Sequence, residues 1–592
     1  MSKQQYIRIN DDYIKILPSW AQELATKYGS KTANLYILYG NIRDYLPHKV
    51  EEDTFTFMRV QDYISEALFG NLNIIAYYDR SSGVTFCDDY MAQEYYAAMP
   101  AISGDPDISI DDLVSPDPQK SFPCLEKYFL SRVKIPKNKK DDGCRMVLII
   151  DYAESMIPNG DFIRLSEEAL YSFVTFSRWS TDPKFIKGDI SIILLTQNLA
   201  DISSRLVSSP STVKINVPFP DEIVRESFLK YKEKEGKLLL EHGLNPHRLA
   251  TITSGVNLMN LNSLVAESYE RNTPLSLDFM RKKKKEIIEN EAVGLLEFME
   301  TSYDLSHVSG HDFVKKRFKN AAKALKMGRP DVLPMGYLIA GPVGTGKSFM
   351  VSAFAGEIGI PMVKLRNFRT KWQGETESNL EKVLSILVAM SPVAVMIDEA
   401  DAFLGDRNNE GDAGTSNRVF AQIASFMGNT EFRGKIIWFL ITCRPDLIPI
   451  DLKRQGRAEE HLALFYPETN EEREELFKTL IRKLDLSIRQ FPASDLFKKF
   501  KYDYSGADLE AVLVRAKLNA AMRGHSFVER EDMERAMEDF VPASYPHEIE
   551  LQNLVAVLEC TSKEMIPKKF RNMSRTEIIK NIQEIKTLTG GK

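Results

Sequence analysis

The stretch Gly341-Pro-Val-Gly-Thr-Gly-Lys-Ser348 of this 592-residue chain fits the pattern G-x-x-x-x-G-K-[ST] at every fixed position. It follows the apolar run Met335-Gly-Tyr-Leu-Ile-Ala340 and precedes Phe349-Met-Val-Ser-Ala-Phe-Ala355, which predicts the order strand, loop, helix. The glycines let backbone N–H groups turn inward around a phosphate chain, Lys347 places a charge on the outer phosphates, and the Ser348 hydroxyl can ligate Mg²⁺. The sequence therefore predicts a nucleoside triphosphate site.

A second pattern indicates what happens to the nucleotide. Val393-Ala-Val-Met-Ile397 is a continuous apolar run, as a buried parallel strand requires, and it ends in Asp398-Glu399. Open α/β sheets bind ligands at the carboxyl ends of their strands. We therefore expect Asp398 to hold the magnesium shell with Ser348, and Glu399 to orient and polarise the attacking water.

Five further motifs follow in a fixed order, and together they are far more specific than any one of them. They are Lys371-Trp-Gln-Gly-Glu-Thr-Glu377, the Gly-, Asn- and Asp-rich stretch 407–418, Thr442-Cys-Arg-Pro-Asp446, Leu452-Lys-Arg-Gln-Gly-Arg457 and Tyr504-Ser-Gly-Ala-Asp-Leu509. Over roughly residues 300–545 the chain thereby resembles the AAA clade of AAA+ ATPases, whose members include hexameric protein unfoldases and disassembly machines.

The resemblance implies ATP with Mg²⁺ as the bound nucleotide. It implies that the residues around the nucleotide are Gly341, Pro342, Val343, Gly344, Thr345, Gly346, Lys347, Ser348 and Phe349, joined by Gly506 and Ala507 at the start of a lid helix. It also implies that Arg454 and Arg457 act on the ATP of a neighbouring subunit. An arginine delivered in trans stabilises the charge of phosphoryl transfer only once a ring has assembled.

The resemblance further implies a function for the aromatic residue of the first motif. Trp372, flanked by Lys371 and Gln373, is expected to project into a central channel and grip a polypeptide, with the stretch 407–418 forming a second pore loop. The expected partners are other copies of the chain in a ring, by resemblance a hexamer, together with a protein substrate and an adaptor.

One position departs from the family. The residue before the Arg-Pro-Asp of the third motif is usually Asn, which helps to position the lytic water, whereas this chain has Cys443. A thiol is a weak hydrogen-bond donor and acceptor. Two interpretations follow: Thr442 substitutes from one position earlier, or hydrolysis is slower than in the faster members of the family.

The N-terminal half repeats the pattern of the C-terminal half. Met146-Val-Leu-Ile-Ile-Asp151 is again an apolar strand that ends in Asp, 247 residues before Asp398, and Pro220 precedes Pro467 by the same offset. Near-constant spacing indicates an internal duplication. The strand Asn34-Leu-Tyr-Ile-Leu-Tyr-Gly40 is followed by Asn41-Ile-Arg-Asp-Tyr45, with no Gly-Lys-Ser, so we expect the first copy to have lost its nucleotide site and to serve as a scaffold; a retained but unusual nucleotide site is the alternative.

The predicted fold is therefore α/β: two tandem P-loop AAA+ modules, each a parallel-sheet α/β subdomain plus a helical lid, with the first module degenerate. The expected boundaries are 1–218 for the first α/β subdomain, 219–300 for its lid and a linker, 301–467 for the active large subdomain, 468–545 for its lid, and 546–592 for a C-terminal helical extension. The stretch from Pro100 to Lys140, rich in Asp, Pro and Lys, predicts a surface insertion. In the extension, Leu551, Leu554, Val555 and Leu558 predict docking on the lid or on a neighbouring subunit.

Composition excludes several other classes of protein. A net charge of −6 and a pI near 5.9 give no global basic field, so nucleic acid is not an expected partner. The polar N-terminus and the absence of any run of about 18 apolar residues predict a cytoplasmic protein without a membrane span. The five cysteines lack a C-x-x-C pair, and no His-Glu-x-x-His occurs, which argues against zinc.

Two functions of different class remain. The first is an ATP-driven ring that threads polypeptide through its pore and unfolds or disassembles protein targets. The second is a nucleotide-controlled scaffold that switches an assembly by binding and slow hydrolysis, without threading. Trp372 favours the first, while Cys443 and the degenerate first module are compatible with the second.

Overall fold

The computed structural model describes residues 17–31, 33–51, 54–70, 74–133, 144–299, 303–366, 376–404, 413–489, 491, 493–500, 504–541 and 545–588. The chain divides into two compact units. The first contains Met1–Ile288 together with Glu377–Ala389, and the second contains Glu289–Thr376 together with Met390–Lys592. No helix among the described residues has the length and apolar character that crossing a membrane requires.

The first unit is built around a six-stranded sheet. Its strands are β1 (Leu35–Gly40), β4 (Ile74–Asp79), β5 (Gly83–Phe86), β6 (Met146–Ile150), β7 (Ile190–Thr196) and β8 (Thr212–Val217), while β2 (Tyr45–Glu51) and β3 (Thr54–Arg59) form a separate hairpin. The sheet order is β5-β4-β6-β7-β1-β8, and every pairing is parallel except that of β5 with β4.

The second unit has a sheet of the same design. Its strands are β9 (Leu296–Phe298), β10 (Gly336–Ala340), β11 (Met362–Leu365), β12 (Val393–Ile397), β13 (Ile436–Thr442) and β14 (Glu460–Ala463). The order is β14-β10-β13-β12-β11-β9, and only the pairing of β9 with β11 is antiparallel. In the first sheet, β1 lies between β8, the last strand, and β7, which ends in Thr196. In the second sheet, β10 lies in the same way between β14, the last strand, and β13, which ends in Thr442.

The duplication seen in the sequence is confirmed at the level of the strands. β6 ends at Ile150 and β12 ends at Ile397, which preserves the offset of 247 residues. All residues of β6, β10 and β12 are buried, because helices cover both faces of a parallel sheet. The predicted α/β architecture of two tandem modules is therefore confirmed.

The prediction of a surface insertion at 100–140 is wrong for much of that stretch. The helix Pro118–Arg132 begins there, with the Asp117 side chain accepting the N–H of Gln119 and proline in its first turn. Phe122 and Leu125 are fully buried in the core of the first sheet. The turn-forming residues therefore mark the start of a core helix.

Each sheet is followed by helices that form a separate small core. In the first unit these are Glu222–Lys234, Pro246–Ile252, Leu258–Glu270 and Leu277–Glu291. In the second they are Asn470–Lys483, Ala493–Lys499, Gly506–Met522 and Arg530–Asp539. Two more helices, Pro546–Glu559 and Arg575–Leu588, end the described chain where the sequence predicts a helical extension.

The first unit also includes a segment from late in the sequence. Within that unit, the helix Thr376–Met390 contributes Ser378, whose hydroxyl donates to Asp201 at 3.1 Å, and Glu381, which accepts the N–H of Ala200 at 3.1 Å. Burial raises the pKa of Glu381, and the N–H of Ala200 opposes that rise.

Candidate functional site

The phosphate-binding loop is shaped by close backbone approaches that only glycine permits. Gly341 has φ 140°, and a Cβ there would lie 2.0 Å from the carbonyl oxygen of Leu464. Gly344 has φ 80°, and a Cβ there would lie 2.7 Å from the Ser505 hydroxyl at the start of the lid. Glycine at these two positions therefore lets the loop pack against both the sheet edge and the lid helix.

Lys347 begins the helix Lys347–Ile358, and its side chain is buried against the loop that precedes it. Its ammonium donates to the carbonyl oxygens of Gly341 at 2.9 Å and Pro342 at 2.8 Å, and to Cys443 Sγ at 3.2 Å. Cys443 thus lies beside the lysine that is expected to bind phosphate, at the position where the family resemblance implies the residue that positions the lytic water.

Thr442 has a different set of partners. Its hydroxyl donates to Asp401 Oδ1 at 2.6 Å and accepts the N–H of Arg444 at 2.8 Å, and the residue is buried. A hydroxyl that is already engaged on both sides is poorly suited to replace the missing Asn. These contacts disfavour the interpretation that Thr442 substitutes for the missing Asn.

The expected magnesium ligands lie together. Ser348 Oγ donates to Asp398 Oδ2 at 3.2 Å, and Glu399 follows with φ 51° and an exposed side chain. A hydroxyl and a carboxylate are hard oxygen donors that fit Mg²⁺, which is commonly held by one carboxylate plus substrate phosphates. The sequence did not single out Lys364 on β11, whose ammonium lies 3.1 Å from the same Asp398 oxygen.

The lid helix Gly506–Met522 begins directly against the phosphate-binding loop. The Gly506 N–H donates to the Gly344 carbonyl at 3.1 Å, and the Ala507 side chain lies 3.6 Å from where a Gly344 Cβ would be. Within the loop, the Thr345 hydroxyl donates to the Pro342 carbonyl at 2.9 Å. The predicted nucleotide residues from the loop and from the lid therefore lie side by side.

Phe349 lies between two groups that the sequence did not single out. Its ring centroid is 5.4 Å from that of Tyr303, and Lys483 Nζ lies 5.0 Å from the centroid of the same ring. A cation over an aromatic ring is stabilising. Phe349 thus joins the loop to the segment that precedes β10 and to the lid.

The two arginines proposed to act in trans lie between β13 and β14. Arg457 donates to the Asp451 carbonyl at 2.7 Å, and burial together with the neighbouring Arg454 lowers its pKa. Arg454 is exposed, and its guanidinium makes no hydrogen bond or ion pair within the described part of the chain. The predicted pore residues Lys371, Trp372 and Gln373, and the stretch 405–412 that includes Arg407, lie outside the described residues.

The first module has an ion pair at the position that corresponds to the nucleotide site. Arg43 Nη1 donates to Asp151 Oδ2 at 2.7 Å, Arg43 Nη2 lies in ion-pair contact 2.6 Å from Asp151 Oδ1, and Gln61 donates to the same carboxylate at 2.6 Å. The Arg43 guanidinium also lies 3.9 Å from the ring centroid of Tyr152. The aspartate that corresponds to Asp398 is therefore bonded to side chains of its own module.

The Asp44 side chain lies at the N-terminus of a lid helix in that same module. Its carboxylate accepts the N–H groups of Leu258 at 2.9 Å and Met259 at 2.7 Å, where the helix Leu258–Glu270 begins. Burial raises the pKa of Asp44, and these hydrogen bonds and one from Asn41 oppose that rise. Helix N-termini attract anions. The Asp44 carboxylate therefore bonds N–H groups at a helix N-terminus that would otherwise favour a phosphate.

The sheet order, the glycine-rich loop and the Ser348–Asp398 pair define a P-loop ATPase of the open α/β type. Three family models match the chain in succession. They describe an AAA+ chaperone N-terminal Rossmann-like domain at residues 10–218, an AAA+ chaperone second helical domain at 223–293, and the ATPase family associated with various cellular activities (AAA) at 337–466.

Curated relatives agree with these models. An uncharacterized AAA domain-containing protein, ycf46, of Trieres chinensis is 26% identical over 402 residues, which cover 64% of this chain and 78% of the relative. The Cell division cycle protein 48 homolog of Archaeoglobus fulgidus is 26% identical over 56% of this chain and 49% of its own length. The ATP-dependent zinc metalloprotease FTSH 6, chloroplastic, of Arabidopsis thaliana is 27% identical over 63% of this chain and 55% of its own. The chain belongs to the AAA+ ATPases, with AAA+ chaperone domains ahead of its AAA domain.

Proposed function

We propose that this protein is a cytoplasmic motor that hydrolyses ATP at its C-terminal module and remodels, unfolds or disassembles other proteins. The observation that carries the proposal is the 3.2 Å hydrogen bond between Ser348 and Asp398, beside the buried Lys347 and next to the exposed Glu399. This set provides oxygen ligands for Mg²⁺, a cation for the phosphates and a carboxylate for water.

In the proposed reaction, water attacks the γ-phosphorus of ATP, and the bond between that phosphorus and the oxygen bridging to ADP breaks. Glu399 orients the water and accepts its proton, while the Lys347 ammonium exchanges the carbonyl oxygens of Gly341 and Pro342 for phosphate oxygens. Ser348 and Asp398 would hold Mg²⁺, which would neutralise charge on the phosphates.

The proposed active form is a homo-oligomeric ring, a hexamer by family. Support comes from Arg454, which is exposed and whose guanidinium has no hydrogen-bond or ion-pair partner within the described ranges. Support also comes from the lid helix Gly506–Met522, where Val514, Leu518 and Met522 are spaced four residues apart and are 51%, 62% and 81% exposed. Apolar side chains exposed in a row are typical of interaction surfaces.

Threading of polypeptide by Trp372 is the mechanism proposed for the mechanical work. The alternative function, a nucleotide-controlled scaffold with slow hydrolysis, is favoured by the thiol of Cys443 beside Lys347, because a weak hydrogen-bonding group positions water poorly. A protein substrate and an adaptor are the partners proposed for the first function.

The proposed hydrolysis is tested with Lys347→Ala and Glu399→Gln in the full chain. Lys347→Ala is expected to abolish binding of a fluorescent ATP analogue, whereas Glu399→Gln should bind it and hydrolyse at least roughly a hundredfold more slowly. Asp151→Asn in the first module is the matched control, and its turnover per folded molecule should equal that of wild type. Nucleotide binding should saturate at one per chain. Turnover that survives in Lys347→Ala, or that depends on Asp151, would refute the proposal.

A further inference from the structure

The last two helices pack on the sheet that carries the nucleotide site. Pro546–Glu559 and Arg575–Leu588 bury a shared apolar cluster whose members from the extension are Leu551, Leu554, Val555, Ala556, Val557, Phe570, Ile578 and Ile582. Its other members are Ala340 and Ala463, the last residues of β10 and β14, and Phe465 just after β14. The expectation that this extension docks on the lid or on a neighbouring subunit is therefore wrong for these side chains, which the large subdomain of the same chain buries.

From this position one side chain of the extension reaches the phosphate-binding loop. The Gln552 side-chain oxygen accepts the N–H of Val343 at 3.0 Å, and the Tyr466 hydroxyl donates to the Val343 carbonyl at 2.6 Å. Both backbone groups of Val343 are thus held by side chains, although the Val343 side chain itself is exposed. Gly344, the next residue, is held by the lid.

The end of the same helix reaches the segment that carries the trans arginines. Glu559 forms an ion pair with Lys453, the residue before Arg454, and lies 3.3 Å from His461 Nδ1. Burial acts to raise the pKa of Glu559, but hydrogen bonds from His461 and Lys453 outweigh it and lower the pKa. A charged carboxylate with two partners therefore anchors this segment.

The final helix reaches the segment that contains Cys443. Lys586 Nζ donates to Asp446 Oδ2 at 2.8 Å, and Asp446 accepts two hydrogen bonds from Arg444, at 2.9 and 3.0 Å. Arg444 directly follows Cys443 in the sequence. A chain of charge-assisted contacts thus links the C-terminal helix to Arg444, the residue directly after Cys443.

We infer that the C-terminal helix pair positions the ATPase site. Gln552 holds the phosphate-binding loop, Glu559 holds the segment that contains Arg454, and Lys586 holds the segment that contains Cys443. This inference rests on the proposed ATPase function. Gln552 is a positioning residue, because it contacts the backbone of Val343 and leaves the amides of the following residues free to meet phosphate. The extension thereby sets the geometry of three segments that must act together.

The contact of Gln552 is tested by hydrogen–deuterium exchange in the full chain without nucleotide. Gln552→Leu removes the acceptor and is expected to speed exchange of the Val343 amide about fivefold, the effect of one modest hydrogen bond. Asn553→Leu, the same change on the adjacent residue, should leave this exchange unchanged. Gln552→Glu keeps an acceptor and should also exchange as wild type does. Equal exchange in wild type and Gln552→Leu, or rapid exchange in Gln552→Glu, would overturn the inference.

A binding measurement then connects the contact to the nucleotide. Gln552→Leu should weaken binding of a fluorescent ADP analogue by about three- to tenfold, and Asn553→Leu should not. Glu559→Gln should speed exchange of the peptide that contains Arg454 and leave that of Val343 unchanged. None of these readouts needs turnover. A wild-type chain that binds nucleotide without hydrolysing it would refute the proposed ATPase alone, whereas unchanged binding in Gln552→Leu would refute the inference alone.

Discussion

Tyr152 and Glu399 have the same backbone conformation, φ 51° for each, at the residue that follows the terminal aspartate of a buried parallel strand. They lie 247 residues apart, the spacing of the duplication. In the second module this position carries a carboxylate, and in the first it carries a ring that lies against the Arg43 guanidinium. The two modules therefore share this backbone conformation and differ in the side chain that it carries.

The first prediction concerns the stability that this exchange provides. Arg43→Met leaves the mostly buried Asp151 carboxylate without its cation, and we expect the free energy of unfolding of the first unit to fall by roughly 1–3 kcal/mol. Arg80→Met removes an exposed ion pair to Glu168 in the same unit and should cost less than about 1 kcal/mol. Urea unfolding of the full chain measures both, and an equal effect of the two changes would contradict the prediction.

The second prediction concerns Cys443. An Asn at this position supplies a strong donor and acceptor beside Lys347, so Cys443→Asn should raise kcat roughly tenfold, with little change in nucleotide affinity. Steady-state ATPase assays on the assembled protein measure the effect. Cys87→Asn, at an exposed cysteine of the first unit, is the control and should not change the rate. A lower kcat in Cys443→Asn would show that the thiol is suited to this site.

A third prediction follows from Lys364. Its ammonium lies 3.1 Å from the Asp398 oxygen that also accepts from Ser348, so it competes with Mg²⁺ for the same carboxylate. Lys364→Met should lower the Mg²⁺ concentration for half-maximal binding of a fluorescent ATP analogue about three- to tenfold. The exposed lysine change Lys323→Met provides the control. An unchanged or higher Mg²⁺ requirement in Lys364→Met would exclude this competition.

Arg454 supports a fourth prediction, on assembly. If its guanidinium acts in trans, subunits with Lys347→Ala supply intact arginines to subunits with Arg454→Ala, which supply intact nucleotide sites. Mixing these two inactive variants should therefore restore part of the ATPase activity, and specific activity should rise with protein concentration. Mixing Lys347→Ala with Lys347→Ala/Arg454→Ala subunits is the control and should restore none. Full activity of Arg454→Ala on its own would rule out the trans function.

The fifth prediction separates the two proposed functions. Trp372 offers large apolar contact area for an extended chain, so Trp372→Ala should abolish substrate unfolding while keeping basal ATPase within about threefold of wild type. Trp372→Tyr should retain part of the unfolding activity. A tagged substrate captured with Glu399→Gln supplies the assay. Normal processing by Trp372→Ala would favour the nucleotide-controlled scaffold.

Much of the second module could be predicted from local patterns. The loop that begins at Gly341 and the strand that ends before Asp398 carry their own signals, because glycine spacing and apolar runs are short-range features. The duplication was also visible, since the spacing between motifs survives when side chains change.

Contacts between distant segments could not be predicted in this way. Asp44 accepts the N–H of Leu258 across 214 residues, and Gln552 accepts that of Val343 across 209, and no periodicity records such pairs. The helix Pro118–Arg132 was missed for a different reason, because Asp117 and Pro118 signal both a turn and a helix start.

The side chains of the first module at the position that corresponds to the nucleotide site restrict how that position can change. Arg43, Gln61 and Asp151 depend on one another, and Asp44 separately caps a helix, so any single substitution leaves a partner behind without a replacement. A chain that acquired a phosphate-binding loop here by single substitutions would therefore first pass through less stable intermediates.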